Sequence, residues 1–294
     1  MVGAGASASP FRKRALAHAL LLGHSRSKRA TPEVRFARLG VYQVRVAEDG
    51  LGAELRVILF GATGMVGGGV LRECLLDSSV EEILCIGRRS LGRSESKLRE
   101  IVLPDVSNLS LVEDRLSGYD ACFFCLGVTS AGMSEADYHR LTHDLTLSVA
   151  RTLSRLNPGM TFVYVSGAGT DSTEHGRSMW ARVKGKTEND LLRLPFKAAY
   201  MFRPGIIRPK YGIHSRTRVY RVLYIVLLPF VLLASVVAPN SVTTTESVGR
   251  AMIHVAQRGS SVPVLHSREI NQLASWTPSP PGNDREAGVS FQVR

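Results

Sequence analysis

Gly61-Ala62-Thr63-Gly64-Met65-Val66-Gly67 is a G-x-x-G-x-x-G run that follows an apolar stretch and opens a one-faced helical pattern. In that context its chemistry is phosphate binding. Gly61 permits a tight turn, Gly64 lets backbone N–H groups approach a pyrophosphate, and Gly67 lets the helix pack on the strand. The helix N-terminus adds partial positive charge, and Thr63, Met65 and Val66 complete the loop that faces the ligand. A second group is Gly87-Arg88-Arg89. At the end of a second strand an Asp or Glu would hydrogen-bond a ribose 2′-hydroxyl and select NAD, whereas a guanidinium is a planar, permanently charged fork suited to a 2′-phosphate. Arg88, with Arg89 behind it, therefore points to NADP rather than NAD. Asp105, just past a third apolar run, stands where an acceptor would meet an adenine amino group, although an ordinary turn aspartate explains it as well.

These residues need strands to carry them, and the strands are visible. Apolar runs at Leu55–Phe60, Glu82–Ile86, Ile101–Leu103, Ala121–Leu126, Phe162–Val165, Ala199–Phe202 and Val262–Leu265 alternate with helical stretches. Val66, Val70, Cys74 and Leu75 share one helical face, as do Leu141, Leu145, Val149, Leu153 and Leu156. Strand and helix in alternation, with right-handed crossovers, predict an α/β Rossmann-type, doubly wound parallel sheet that binds its ligand at the carboxyl ends of the strands. Thr243, three residues before Glu246, predicts a capping box for a late helix.

Composition excludes several function classes. The chain has 294 residues and 44% hydrophobic content, which rules out global disorder. Its 37 Lys+Arg against 25 Asp+Glu give +12, but nine basic and three acidic residues lie in 1–53, so +6 belongs to that stretch. The other +6 forms no dense stripe, which argues against a nucleic-acid partner. Residues 1–53 have transit-peptide-like composition or form an extension without a fold of its own, and 277–294 reads as a disordered tail. Cys74, Cys85, Cys122 and Cys125 lie in apolar segments, suiting buried thiols in a reducing, cytoplasmic setting. Cys122 and Cys125 make a C-x-x-C, but on a strand those positions face opposite ways. No metal ligands are assigned.

The chain from about Arg56 to Ala274 resembles the short-chain dehydrogenase/reductase superfamily, in particular its atypical NAD(P)-binding branch of epimerase/dehydratase-like proteins, related to the Tat-interacting oxidoreductase-like proteins. The resemblance rests on Gly61–Gly67, Ile86-Gly87-Arg88-Arg89, Cys125-Leu126-Gly127, Val165-Ser166-Gly167-Ala168, Val183-Lys184-Gly185-Lys186 and Phe202-Arg203-Pro204-Gly205. It implies that Ser166 holds a substrate carbonyl or hydroxyl and that Lys184 holds the nicotinamide ribose and lowers a neighbouring pKa. Leu126, Gly127, Pro204 and Gly205 would border the cofactor. The family's tyrosine, four residues before the lysine, is here Trp180. An indole N–H cannot exchange a proton at neutral pH, so the usual donor is missing. Either another group serves, with Tyr164, Tyr138, His139 and His175 as candidates, or the chain binds its cofactor as a regulator or assembly factor without turnover. The first alternative is an NADP-dependent oxidoreductase or epimerase acting on an apolar or sugar-like substrate.

Val222–Ala238 carries seventeen residues without charge, interrupted by Pro229. One helix of that length would reach about 25 Å, short of the roughly 30 Å hydrocarbon core, and the proline would break it. A small apolar lobe at 207–240, inserted in a domain spanning 54–276, is expected to cover a substrate pocket, with peripheral membrane contact as the alternative.

Overall fold

A strand that is apolar at every position needs cover on both faces. The computed structural model describes residues 54–212 and 241–276. Its strands are Leu55–Phe60 (β1), Val80–Gly87 (β2), Leu98–Val102 (β3), Ala121–Phe124 (β4), Thr161–Val165 (β5), Ala198–Arg203 (β6), Ile206–Arg208 (β7), Val242–Thr244 (β8) and Val264–His266 (β9). Seven of them form one sheet in the order β3-β2-β1-β4-β5-β6-β9, parallel at every pairing. The other two, β7 and β8, pair in parallel as a separate ribbon.

The helices are Met65–Leu76 (α1), Glu135–His139 (α2), Leu145–Leu156 (α3), Met179–Leu191 (α4), Thr245–Arg258 (α5) and Ser267–Ser275 (α6), with a π-helical turn, Arg140–Asp144, joining α2 to α3. Successive residues of β1 serve opposite faces of the sheet. Val57 and Leu59 pack with Phe123, Val70 of α1 and Met252 of α5, whereas Ile58 and Phe60 pack with Phe124, Phe162 and Leu153 of α3. Cys122 and Cys125 divide in the same way, Cys122 in the second cluster and Cys125 against the first. All four thiols are free, and burial pushes Cys85 up to about 12 and the others above their ordinary range. The expected doubly wound sheet is the observed fold.

The differences have physical causes. The fourth strand stops at Phe124, because the Cys125 N–H makes the last bond to the Phe60 carbonyl and the chain then turns away. The late helix is capped by Thr244, which accepts from the Ser247 N–H at 3.0 Å, rather than by Thr243, whose hydroxyl donates to Asn271 Oδ1 at 2.7 Å. Glu246 is drawn instead to Lys210 at 2.6 Å and Arg250 at 3.0 Å. The ribbon of β7 and β8 and the helix α6 have no counterpart among the sequence expectations. Val222–Ala238, most of the expected lobe, and both termini (1–53 and 277–294) lie outside the described residues. Among the described residues no helix is long and apolar enough to cross a membrane.

Helices α1 and α5 meet across glycines. A Cβ at Gly69 would stand 2.6 Å from the Thr245 Cβ, and one at Gly249 would stand 2.7 Å from Glu73 Cγ. Overpacking of this kind costs about 1–3 kcal/mol. Gly69→Ala is therefore expected to lower the urea midpoint with an unchanged m-value. Gly159→Ala, where a Cβ would meet nothing within 4 Å, should leave the midpoint in place.

Candidate functional site

The chain leaves β1 through Gly61, whose φ of 84° is a conformation that L side chains rarely adopt. A Cβ there would lie 2.7 Å from the Cys125 carbonyl oxygen, and a Cβ at Gly67 would lie 2.2 Å from the Gly61 carbonyl oxygen. The Gly64 N–H donates to that same carbonyl at 2.8 Å. Gly64 is the N-cap of α1, with no side-chain hydrogen bond to the cap and no acid in the first turn. The leading N–H groups of Met65, Val66 and Gly67 thus keep their donor capacity at the positive end of the helix dipole.

Beside this turn lies a cavity of about 230 Å³ lined by Gly61, Ala62, Thr63, Arg88, Arg89 and Leu126, with Glu100, Ile101, Val102 and Val106 among its other walls. It opens at the carboxyl ends of β1 and β2. Sheet order reverses between β1 and β4, which is where doubly wound proteins bind ligands. Arg88 and Arg89 are exposed and make no hydrogen bond or ion pair among the described residues. Sequence reasoning missed Glu100. Its carboxylate accepts from Ser90 Oγ at 2.7 Å and from the Leu91 N–H at 3.1 Å, pinning the loop that carries both arginines. The available signal was an acid directly before the apolar run Ile101–Leu103. Asp105 is not among the lining residues. Its carboxylate accepts from the Ser107 N–H at 2.9 Å and from Ser107 Oγ at 2.6 Å, and these bonds hold it below the usual carboxylate range.

A second group gathers at the ends of β5 and β6. Ser166 is buried, and its hydroxyl donates to the Phe202 carbonyl at 3.1 Å. Lys184, in α4, donates from Nζ to the Ser166 carbonyl. Helix α4 sits close because Gly185 has no side chain; a Cβ there would fall 1.7 Å from the Asp171 carbonyl oxygen. One turn beyond Lys184, buried Glu188 is gripped by Arg203 at the end of β6, with Nε at 3.0 Å from Oε1. Trp180, one turn before Lys184, lays its indole against Gly169, where a Cβ would be 3.1 Å from Cη2. The Pro204 carbonyl accepts from the Ala168 N–H at 2.9 Å and the Gly205 N–H donates to Ser267 Oγ at 2.8 Å. Gly127 is exposed just past β4.

The four substitute proton donors differ in exposure. Tyr164 and Tyr138 are buried, and desolvation pushes both hydroxyls above the usual tyrosine range. His139 lies 3.2 Å from Asp144, and His175 is exposed. Lys184 is perturbed as well: burial of its ammonium pulls it down to about 8, although Glu188 works the other way.

That depression has a sign in stability. The unfolded chain, with its lysine near 10.5, binds the proton more readily than the folded chain between about 8 and 10.5, so the contribution of this group to stability rises with pH across that window. Urea unfolding at pH 7 to 10 is expected to show the native chain gaining on Lys184→Met as pH increases. A constant difference would mean that Lys184 is not desolvated.

No protein-family model matches the chain. Among curated proteins, the mitochondrial protein FMP52 of Eremothecium gossypii is 28% identical over 164 residues, covering 55% of this chain and 70% of its own length. The mitochondrial protein fmp52-1 of Aspergillus oryzae is 32% identical over 155 residues, 51% of this chain and 64% of its own length. HTATIP2 of Rattus norvegicus is 26% identical over 166 residues, covering 56% and 67%. The chain thus spans just under two thirds of the Aspergillus relative and little more of the other two. Among solved structures, the Bordetella bronchiseptica enzyme WbmF in complex with NAD+ superposes with a TM-score of 0.54 at 15% identity, covering 76% of this chain and 77% of WbmF. A short chain dehydrogenase family protein of Francisella tularensis gives 0.54 at 12% identity, covering 75% and 99%. At such identities the structures establish the fold. In sequence the chain is similar to FMP52 and HTATIP2 over about half of its length.

Proposed function

We propose that this relative of FMP52 and HTATIP2 binds NADP(H) beside the Gly61 turn and acts as a cofactor-binding regulator or assembly factor. The observation that carries the reading is the cavity at the strand ends, with the Gly61 turn on one wall and, on another, Arg88 and Arg89, which have no partners among the described residues. The residues fit the group. Gly61, Gly64 and the first N–H groups of α1 would hold the pyrophosphate, and Arg88 and Arg89 the 2′-phosphate. Leu126, Gly127, Pro204 and Gly205 would border the nicotinamide half, with Lys184 at its ribose. The nicotinamide supplies or accepts a hydride when bound. That WbmF was solved with NAD+ supports a nicotinamide dinucleotide here by analogy of fold.

Two contacts support a role without turnover. Ser166 and Lys184, which the resemblance assigns to substrate and ribose, both spend hydrogen bonds on backbone carbonyls, and Trp180 cannot relay a proton. One observation favours the second reading, an NADP-dependent oxidoreductase or epimerase on an apolar or sugar-like substrate. Lys184 at about 8 lies in the range where a lysine serves as general acid or base near neutral pH. For location, the cytoplasmic expectation competes with the mitochondrial names of the fungal relatives, and residues 1–53 fused to a fluorescent reporter decide between them.

Calorimetric titration is expected to show NADPH binding more tightly than NADH, with Arg88→Ala costing about 1.5–3 kcal/mol, roughly ten-fold or more. Equal affinities for the two cofactors in the native chain would remove the case for NADP. Under the regulator reading, the native chain shows no carbonyl-dependent loss of NADPH absorbance over a panel of aldehydes, ketones and quinones, and Trp180→Tyr keeps NADPH affinity within a few-fold. Oxidation by the native chain that disappears in Lys184→Ala would establish the enzyme reading instead.

A further inference from the structure

Between α2 and α3 the backbone widens, and the widening brings three ligand atoms together. His139 and His143 are one turn apart, with ring centroids 4.3 Å from each other. On an ordinary α-helix, Asp144 would lie about 140° around the axis from His139, out of reach. Here the Leu145 N–H reaches back to the Arg140 carbonyl, the i to i−5 bond of a π turn. Asp144 Oδ1 is consequently 3.2 Å from His139 Nδ1 and 2.8 Å from His143 Nδ1. The ligand atoms of all three residues lie within 4.8 Å of one another.

The remaining nitrogen of His143 is also engaged. Its Nε2 lies 2.9 Å from Asp190 Oδ2 on α4, the arrangement in which an outer carboxylate fixes the tautomer and direction of a metal-bound imidazole. Asp190 is itself held by Lys186 at 3.0 Å and Arg193 at 2.6 Å. Access differs across the group. The His143 side chain is 9% exposed, His139 33% and Asp144 55%, which gives the cluster a rigid inner wall and an open outer side where water can complete a coordination sphere.

We propose that His139, His143 and Asp144 form a binding site for a borderline divalent transition metal such as Zn²⁺, with Asp190 as the orienting carboxylate behind His143. Two imidazole nitrogens, one carboxylate oxygen and a water make a four-coordinate set of the kind zinc takes at about 2.0–2.2 Å. Zn²⁺ takes the Nδ1 lone pairs, so any proton now shared between a ring and Asp144 leaves to solvent, and binding weakens as pH falls. Wide turns of this kind recur at functional sites. This site does not depend on the dinucleotide reading.

Calorimetric titration of the full chain with zinc chloride, under a phosphine reductant, tests it. One saturable site is expected in the native chain. His139→Ala and Asp144→Asn change partly exposed side chains, so circular dichroism should report an unchanged fold while zinc affinity falls at least ten-fold. Asp190→Asn should weaken binding ten-fold or more while leaving all three ligands in place, and His175→Ala on its exposed loop should have no effect. An isotherm that survives His139→Ala unchanged would put the ion elsewhere, and the absence of saturable binding below roughly 100 μM, about −5.5 kcal/mol, would leave the cluster as a set of hydrogen bonds alone. Either result overturns the proposal.

Discussion

The turn between β1 and α1 has no room for a side chain at Gly61 or Gly67, and the site is built outward from that restriction. Cβ positions at Gly61 and Gly67 fall 2.7 Å and 2.2 Å from backbone carbonyl oxygens. At these two points strand, neighbouring strand and helix therefore meet through main chain. Closure brings the donor end of α1 to the carboxyl edge of the sheet, beside the point where β1 and β4 send the chain in opposite directions. The loop after β2 then needs only to be held beside that edge, and Glu100 holds it through Ser90 and Leu91. A side chain at either glycine would separate the helix dipole from the arginines that face the same cavity.

A second constraint acts at α4. A buried ammonium is costly unless its hydrogens find acceptors. Lys184 finds the Ser166 carbonyl, and the hydroxyl of Ser166 is in turn spent on Phe202, so α4, β5 and β6 are tied at one point. Glu188 and Arg203 repeat the tie one turn further along. The burial that pulls Lys184 down to about 8 goes with a contact that ties the helix to the sheet. Trp180 lies against Gly169 at the outer end of this assembly, filling its place with an apolar ring whose N–H cannot titrate.

Most of the sheet was legible because buried parallel strands are apolar at nearly every position and the intervening helices show one-sided periodicity. The glycine run and the Arg88-Arg89 pair were legible for a different reason: their chemistry is local to a few consecutive residues. What escaped the sequence depends on contacts that adjacency does not reveal. The ribbon of β7 and β8 has three residues per strand, too short for alternation to register. Glu100 acts across a strand pair, opposite Cys85. The cap of α5 is Thr244 and not Thr243 because Asn271 takes the Thr243 hydroxyl and an ion pair claims Glu246. The approach of His139 and Asp144 needs a π turn, which no spacing rule for an α-helix predicts.

A crystallographic complex of the chain with NADPH tests the central claim most directly, because it reads the position of each phosphate. The 2′-phosphate is expected within hydrogen-bonding distance of the Arg88 or Arg89 guanidinium, with the pyrophosphate on the N–H groups that open α1. An adenosine half lying away from Gly61 and Arg88, or no cofactor density at saturating NADPH, would contradict the assignment of this cavity as the dinucleotide site.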